Sequence, residues 1–422
     1  MTDHRGVSVS TAPRRPVWLG GRGDAPLNGA NALRAVRGSL TAKALLASRL
    51  LVVLAGVCGV LTGSAGLRWG PTNIGLGSVG NVLAGSAVRF DANWYLAIAR
   101  HGYAAAGAGS RAFWPLYPDL IRVLGYVLGS DVIAGVAISV ASFAGALVLL
   151  RRLAELELGK QAADATILLL AFAPLSFFFS AVYTESLFLL LSVASIYAAR
   201  RERWFIACAL AGLATLTRTT GVALIVPLVL MLRPWRGLAS RRLRCLILVP
   251  GPLIGYLVWL ALTGHSWIAP FQAQALWHRT TVGPLAAIAD AVAGAAGGIA
   301  RIVTGAQAVY HPSQVGVLTP AAESIFLLLA LIVAVYALVG CWRRLPRYYG
   351  AYAATALIMC LSDPISSQPL ESLDRYLLTI FPLWMVAGDW IAKRRLQVPT
   401  ILISSAALVF YTFWFSRYAF IA

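Results

Sequence analysis

Hydrophobic residues along this chain fall in long runs separated by short polar clusters. Runs can be placed at 44–63, 131–150, 164–181, 184–199, 204–217, 219–232, 246–262, 322–342, 349–361, 374–391 and 398–415. They lack the regular polar stripe of a surface helix in a soluble protein. Several approach ~20 residues, the length a helix needs to cross a bilayer. The pattern predicts an all-α integral membrane protein, a polytopic bundle of about 11 transmembrane helices. The pairs 164–199 and 204–232 leave almost no loop and read as helical hairpins. Runs shorter than a full span are expected to start within the interface or lean on neighbours.

Two connections are long, 64–130 and 263–321. Long connections between packed elements are usually functional or disordered. The first contains RFDANWYLAIARHGY and FWPLYPDLIRVLGYVLG, which are aromatic-rich and periodic. They predict short amphipathic helices lying at the membrane interface. Residues 1–42 are basic and rich in Gly, Pro, Ala and Ser, as expected of a disordered cytoplasmic tail. Residues 43–422 then read as a single transmembrane domain. No internal repeat is evident, which disfavours an inverted-repeat transporter.

Charge orients this pattern. With the N-terminus inside and one crossing per run, 25 of the 35 Lys and Arg residues fall inside and 10 outside. The 16 acidic residues divide 7 inside and 9 outside. The basic excess of +19 is therefore almost wholly cytoplasmic, as the positive-inside rule requires. Both long loops face outward. In a bacterial host this is a multi-pass protein of the plasma (inner) membrane. Composition agrees: 59% of residues are hydrophobic and 12% charged, far from the roughly one quarter charged residues of a soluble domain. Basic and aromatic residues do not interleave as single-strand binders require, so no nucleic-acid partner is expected. The five cysteines, Cys58, Cys208, Cys245, Cys341 and Cys360, lie in or beside apolar runs without CxxC spacing. They suggest neither disulfides nor zinc.

Topology then sorts the polar residues. Asp91, the turn at Tyr183, Thr184 and Glu185, the turn at Arg218, Thr219 and Thr220, and the group Asp374, Arg375 and Tyr376 all reach the same outer face. Ionisable residues at span ends are functional candidates. Asp91 stands among Phe90, Trp94 and Tyr95, where partial desolvation would suit a general base. Asp91 also fits a helix N-cap ahead of ANWYLAIA. Arg218 and Arg375 suit a phosphate or pyrophosphate; Arg218 can instead snorkel or pair with Glu185. Glu185 can pair with an arginine, contact sugar hydroxyls or act as a second carboxylate. Tyr376 offers a hydroxyl or a stacking face. The candidate substrate-binding residues are thus Trp94, Tyr95, Tyr183, Glu185, Arg218, Arg375 and Tyr376. Phe113 to Pro118 reads as a structural bend with interfacial rings. Trp267, Trp277 and His278 form either a sugar platform or an interface anchor. His101, His265, His278 and His311 lack ligand spacing, so no metal is expected.

RFDANWYLAIARHGY followed by FWPLYP resembles the opening of the PIG-V family, the enzymes that add the second mannose of GPI anchors, and their bacterial relatives. APLSFFFSAVYTESLFLLLSVASIYAARRERW resembles the family's segment with a YTES turn. LATLTRTTGVALIVPL is similar to its R-x-x-G segment, and DRYLLTIFPLW to a late RY…FP element. The matches run in family order from about residue 89 to 382. Phe90 stands where tryptophan is common, and Thr219-Thr220 where Ser-Asn is frequent. The resemblance implies a GT-C-type glycosyltransferase that takes mannose from a polyprenyl-phosphate donor on the outer face. It implies Asp91 as the base that deprotonates a lipid or glycan acceptor, with inversion at the anomeric carbon. Arg218 and Arg375 would hold the departing phosphate. No cofactor is implied. A GT-C transferase using another sugar, a transporter or lipid flippase, and a non-catalytic scaffold are the competing readings.

Overall fold

The structure is a computed structural model that describes residues 39–62, 74–232, 241–280, 282–305, 320–365, 368–419 and 421. The expected N-terminal tail lies outside the described residues, except that its last residues already belong to the first helix. Among the described residues the fold is all-helical, with only isolated bridges at Arg279, Ile365 and Gln368.

In chain order the helices that build the bundle are α1 (Leu40–Thr62), α2 (Ala92–Ala105), α3 (Leu116–Leu128), α4 (Asp131–Leu158), α5 (Lys160–Ala171), α6 (Glu185–Arg200), α7 (Trp204–Thr215) and α8 (Ile225–Met231). They continue with α9 (Gly251–Leu262), α10 (Pro284–Thr304), α11 (Pro320–Arg344), α12 (Arg347–Leu361), α13 (Leu373–Leu377), α14 (Phe381–Lys393) and α15 (Gln397–Ser416). By length and composition six helices can cross a membrane: Leu40–Thr62, Asp131–Leu158, Arg242–Leu262, Pro284–Thr304, Ala321–Arg344 and Gln397–Ser416.

Several expected spans are broken. Run 164–181 ends as a helix at Ala171 and continues as a turn and the single 3-10 turn Ser176–Phe179. Pro174 accounts for the break, since it has no N–H to extend the ladder and restricts the residue before it. Run 374–391 likewise divides into α13 and α14 at Ile380, ahead of Pro382 near the start of α14. The close packing of α14 on α5 depends on Gly388, where a Cβ would stand within 2.3 Å of the Thr166 hydroxyl.

The connection 263–321 departs from expectation. It is not simply a loop, because it contains the 21-residue helix α10. Its composition, PLAAIADAVAGAAGGIARIVT, is dominated by Ala and Gly, with Asp290 and Arg301, and so lacks the dense Leu and Val of the other runs. Those small residues are its packing surface. Ala287, Ala291, Ala295 and Gly298 are buried, and a Cβ on Gly298 would meet the backbone of Ala321. Small residues let two helices approach closely where apolar burial offers little drive.

The described part of the first long connection, 74–130, is largely helical, as its periodicity predicts. Helix α3 buries Tyr117, Ile121 and Gly125 and exposes Val123, Tyr126 and Val127. An apolar face turned away from the bundle suits an interfacial position.

Arg49 also differs from expectation. Counted by position it is one of the inside cations, yet it is buried within the bundle. Its guanidinium donates to the Ser176 carbonyl at 2.7 Å, Ser180 Oγ at 2.8 Å, the Ser176 Oγ at 2.7 Å and the Ala171 carbonyl at 3.3 Å. It also lies 4.9 Å from the Phe143 ring, which stacks on Phe179. Among the described residues no carboxylate pairs with it. Arg49 satisfies the carbonyls that the break after α5 leaves without helical partners.

Candidate active site

The turn into α2 is built by Arg89 and Phe90. Arg89 donates from Nε and Nη2 to the Ser416 carbonyl at 3.1 and 3.0 Å, and its guanidinium lies 4.0 Å from the Tyr418 ring. This ties the end of α15 to the segment before Asp91. Phe90 takes a left-handed φ of +48°, uncommon for a bulky residue. The chain is thereby turned so that Asp91 begins α2.

Asp91 does not cap α2, since its side chain makes no capping bond. Its Oδ2 instead accepts from Arg375 Nη1 at 2.9 Å. Its backbone N donates to Tyr183 Oη at 3.2 Å, and Tyr183 Oη donates to the Arg89 carbonyl at 3.0 Å. Both capacities of that phenol are used, so Tyr183 builds the wall of the site.

Glu185 opens α6 and is fully buried. Its Oε1 accepts from Arg218 Nη1 at 2.7 Å and lies 3.0 Å from Arg375 Nε, an ion contact without hydrogen-bond geometry. Its Oε2 has no protein partner among the described residues. Buried acceptors of this kind usually find a water or ligand donor. Asp91, Arg375, Glu185 and Arg218 therefore form one chain of alternating charges, contributed by four separate elements.

Arg218 is placed by the turn from α7 into the 3-10 helix Thr219–Leu224. The Gly221 N–H donates to the Arg218 carbonyl at 2.9 Å. A side chain at 221 would put Cβ 2.5 Å from the Ala214 carbonyl carbon and from Thr215 N. The glycine of the R-x-x-G segment is thus required by close backbone approach, which fixes where Arg218 points.

Tyr376 lies among three guanidiniums: Arg218 at 4.8 Å from its ring, Arg375 at 5.6 Å and Arg279 at 6.0 Å. Arg375 also faces Phe178 at 5.5 Å and Tyr183 at 5.3 Å. Tyr95 is buried, with its hydroxyl 3.4 Å from Thr184 Oγ1 and its ring edge-on to Phe113 and Tyr117. It supports the turn that carries Glu185. Trp94 stacks on Phe113 at 5.8 Å and meets Trp277 edge-on at 5.9 Å. Trp277 thus joins the first long connection to the second, whereas Trp267 is largely exposed. The FWPLYP bend packs Trp114 on Tyr256 and Phe271.

Arg279 is a residue of this site that sequence reasoning did not select, and Thr184 was placed on this face with its turn but without a role of its own. Glu371 also borders it. Burial pushes the Glu371 carboxyl above its ordinary range, against the opposing pull of Arg279 and Arg375. Among the described residues no group of His, Cys, Asp and Glu is arranged to hold a metal. His311 lies outside the described residues.

The chain resembles known proteins over part of its length. Residues 76–238 match the family described as mannosyltransferase (PIG-V). That segment holds Asp91, Trp94, Tyr95, Tyr183, Glu185 and Arg218; Arg279, Arg375 and Tyr376 come from beyond it. A stretch of 109 residues, 25% of this chain, is 37% identical to GPI mannosyltransferase 2 of Yarrowia lipolytica. The match spans 30% of that protein's length. Among solved structures, an oligosaccharyltransferase of Archaeoglobus fulgidus, crystallised with Zn and sulfate, is similar at a TM-score of 0.41 and 11% identity, over 87% of this chain and 52% of that one. An archaeal oligosaccharyltransferase from the same organism, in complex with an inhibitory peptide and a dolichol-phosphate, gives 0.37 and 12%, over 88% and 55%.

Proposed function

We propose that the chain is an integral membrane mannosyltransferase of GT-C type that uses a polyprenyl-phosphate-mannose donor. The observation that carries this reading is the alternating cluster Asp91–Arg375–Glu185–Arg218, most of it within the segment that resembles PIG-V mannosyltransferases. Two arginines beside a carboxylate at the ends of membrane helices suit a lipid-linked phosphate and an attacking hydroxyl.

In this mechanism the acceptor hydroxyl gives its proton to Asp91. Its oxygen bonds to the anomeric carbon as the bond from that carbon to the phosphate oxygen breaks. The electron pair leaves on the lipid phosphate, which Arg218 and Arg375 hold. Attack opposite the leaving group inverts the anomeric centre. The acceptor is a lipid or glycan on the non-cytoplasmic face. The helices α5 to α8, α12 and α14, crossing beside five of the six long ones, with α10 kept within the outer connection, make up about eleven crossings with a cytoplasmic N-terminus.

The test is transfer of labelled mannose from polyprenyl-phosphate-mannose to total host lipid or cell-wall extract, with the product identified. Transfer by the wild type and its loss in Asp91→Asn support the reading. Wild-type rates in purified, folded Asp91→Asn would overturn the role of Asp91, and an inert wild type would overturn the activity.

A further inference from the structure

Three guanidiniums gather around Tyr376. Asp91 and Glu185 are the ion-paired carboxylates of the site, and Arg375 and Arg218 are their partners. Arg279 is a third guanidinium, and among the described residues it has no ion pair within 4.0 Å. Its Nη1 donates to the Asp363 carbonyl at 3.0 Å and its Nη2 to Tyr376 Oη at 3.3 Å. Glu371 is a half-buried acidic side chain whose field reaches Arg279; desolvation pushes its carboxyl up, and Arg279 and Arg375 oppose the rise. The two hydrogen bonds leave further N–H groups of the guanidinium for a ligand.

The way Arg279 arrives is equally specific. It follows Trp277 and His278, and His278 takes a left-handed φ of +55°. That turn lets Trp277 pack on Trp94 and Phe113 while Arg279 reaches Tyr376. Backbone bridging between Arg279 and Ile365, and the bond from Thr280 N to the Pro364 carbonyl at 3.0 Å, fix the far side. Left-handed residues other than glycine persist where the surroundings over-determine them.

We propose that Arg279 is a phosphate-binding residue of this site, held over Tyr376 by the 274–280 segment, and that it takes the phosphate of a polyprenyl phosphate ester. The proposal rests on the transferase reading for the lipid part of the ligand. The phosphate contact itself follows from a guanidinium that, among the described residues, has no carboxylate partner. A third guanidinium with spare N–H groups, set beside two ion pairs, suits one phosphate group.

The test is a binding titration that needs neither acceptor nor turnover. Polyprenyl monophosphate, polyprenol and inorganic phosphate are titrated into the purified full chain, with Trp fluorescence as the readout. Wild type is expected to bind polyprenyl monophosphate more tightly than polyprenol, and to lose that preference with added salt. Arg279→Gln should weaken polyprenyl monophosphate binding by about tenfold or more, and Arg279→Lys should recover most of it. Melting curves establish that both variants fold. Equal wild-type affinity for the phosphate and the alcohol overturns the proposal without any variant. So does unchanged binding by Arg279→Gln, or an equal loss in folded Arg279→Lys and Arg279→Gln. Binding of inorganic phosphate as tightly as of the lipid ester would assign the subsite to a free anion and overturn the lipid assignment. A wild type that binds through Arg279 yet moves no mannose would overturn the transferase reading and leave the phosphate contact standing.

Discussion

Asp91 and Arg375 lie 284 positions apart in the chain and meet through a 2.9 Å hydrogen bond from Nη1 to Oδ2. The carboxylate proposed to take a proton is thus held by a cation proposed to hold phosphate. Asp91→Asn retains the shape and removes the base. Mannose transfer is expected to fall by about 10²–10⁴-fold, the usual contribution of a positioned general base. Radiolabel transfer measures this, with a melting curve to show that the variant is folded.

Glu185 is buried between two arginines, so its loss leaves their charges unpaired. Glu185→Ala is expected to cost about 3–5 kcal/mol of stability, as for other broken buried pairs. Adding Arg218→Met should recover part of that cost, making the double variant more stable than the sum of its parts. Denaturant unfolding in detergent of wild type, both single variants and the double variant decides it. Strict additivity would mean that the two side chains are not coupled.

Gly221→Ala tests the R-x-x-G turn. The added Cβ meets backbone at 2.5 Å, so the chain between α7 and α8 must move. A loss of about 1–3 kcal/mol is expected, typical of overpacking. Transfer should fall with it, because the same turn places Arg218. Thr220→Ser, one residue away, should leave both unchanged.

Glu371 predicts a pH dependence. Its folded pKa is raised, so the folded state holds this proton more tightly than the unfolded chain. Its stabilising contribution is present below the unfolded pKa and is lost as pH rises through the folded one. Phosphate binding should weaken over the same rise, because the new negative charge opposes Arg279. Glu371→Gln should flatten both profiles. Titrations of binding and of melting temperature against pH read the two effects, and unchanged slopes in the variant would rule Glu371 out as their source.

The proposed sidedness is open to labelling. Thr280 is exposed beside Arg279. In a cysteine-free background, Thr280→Cys should react with an impermeant maleimide added outside intact cells. Labelling only after the cytoplasm is opened would invert the proposed topology.

Much of the site was legible because charge is costly near lipid and gathers where helices end. That logic places Asp91, Glu185, Arg218, Arg375 and Tyr376 on one face, and the structure brings them into contact. The pairing of Arg218 with Glu185 was one of the alternatives that logic left open, and the pair forms. The capping alternative for Asp91 is not realised, because a partner from beyond the next hundred residues outcompetes the local N–H groups. Arg279 was missed because its segment has no periodicity, and its position depends on backbone contacts with residues 363–365. Helix α10 was missed because its apolar residues are the small Ala and Gly rather than the dense Leu and Val of the other runs. Tyr95 and Tyr183 were legible as members of the site, but their hydroxyl partners depend on tertiary packing.

Arg49 has a consequence for how the protein is made. A lone arginine inside an apolar helix raises the cost of entering the bilayer by about 2.5–3.5 kcal/mol. Its hydrogen-bond partners from Ala171 to Ser180 lie 122 to 131 residues downstream and are synthesised later. Helix α1 therefore enters the membrane before the groups that satisfy its cation exist. Its settled depth is completed only when α5 and the turn after it dock, which makes the first of the described helices among the last to reach its final state.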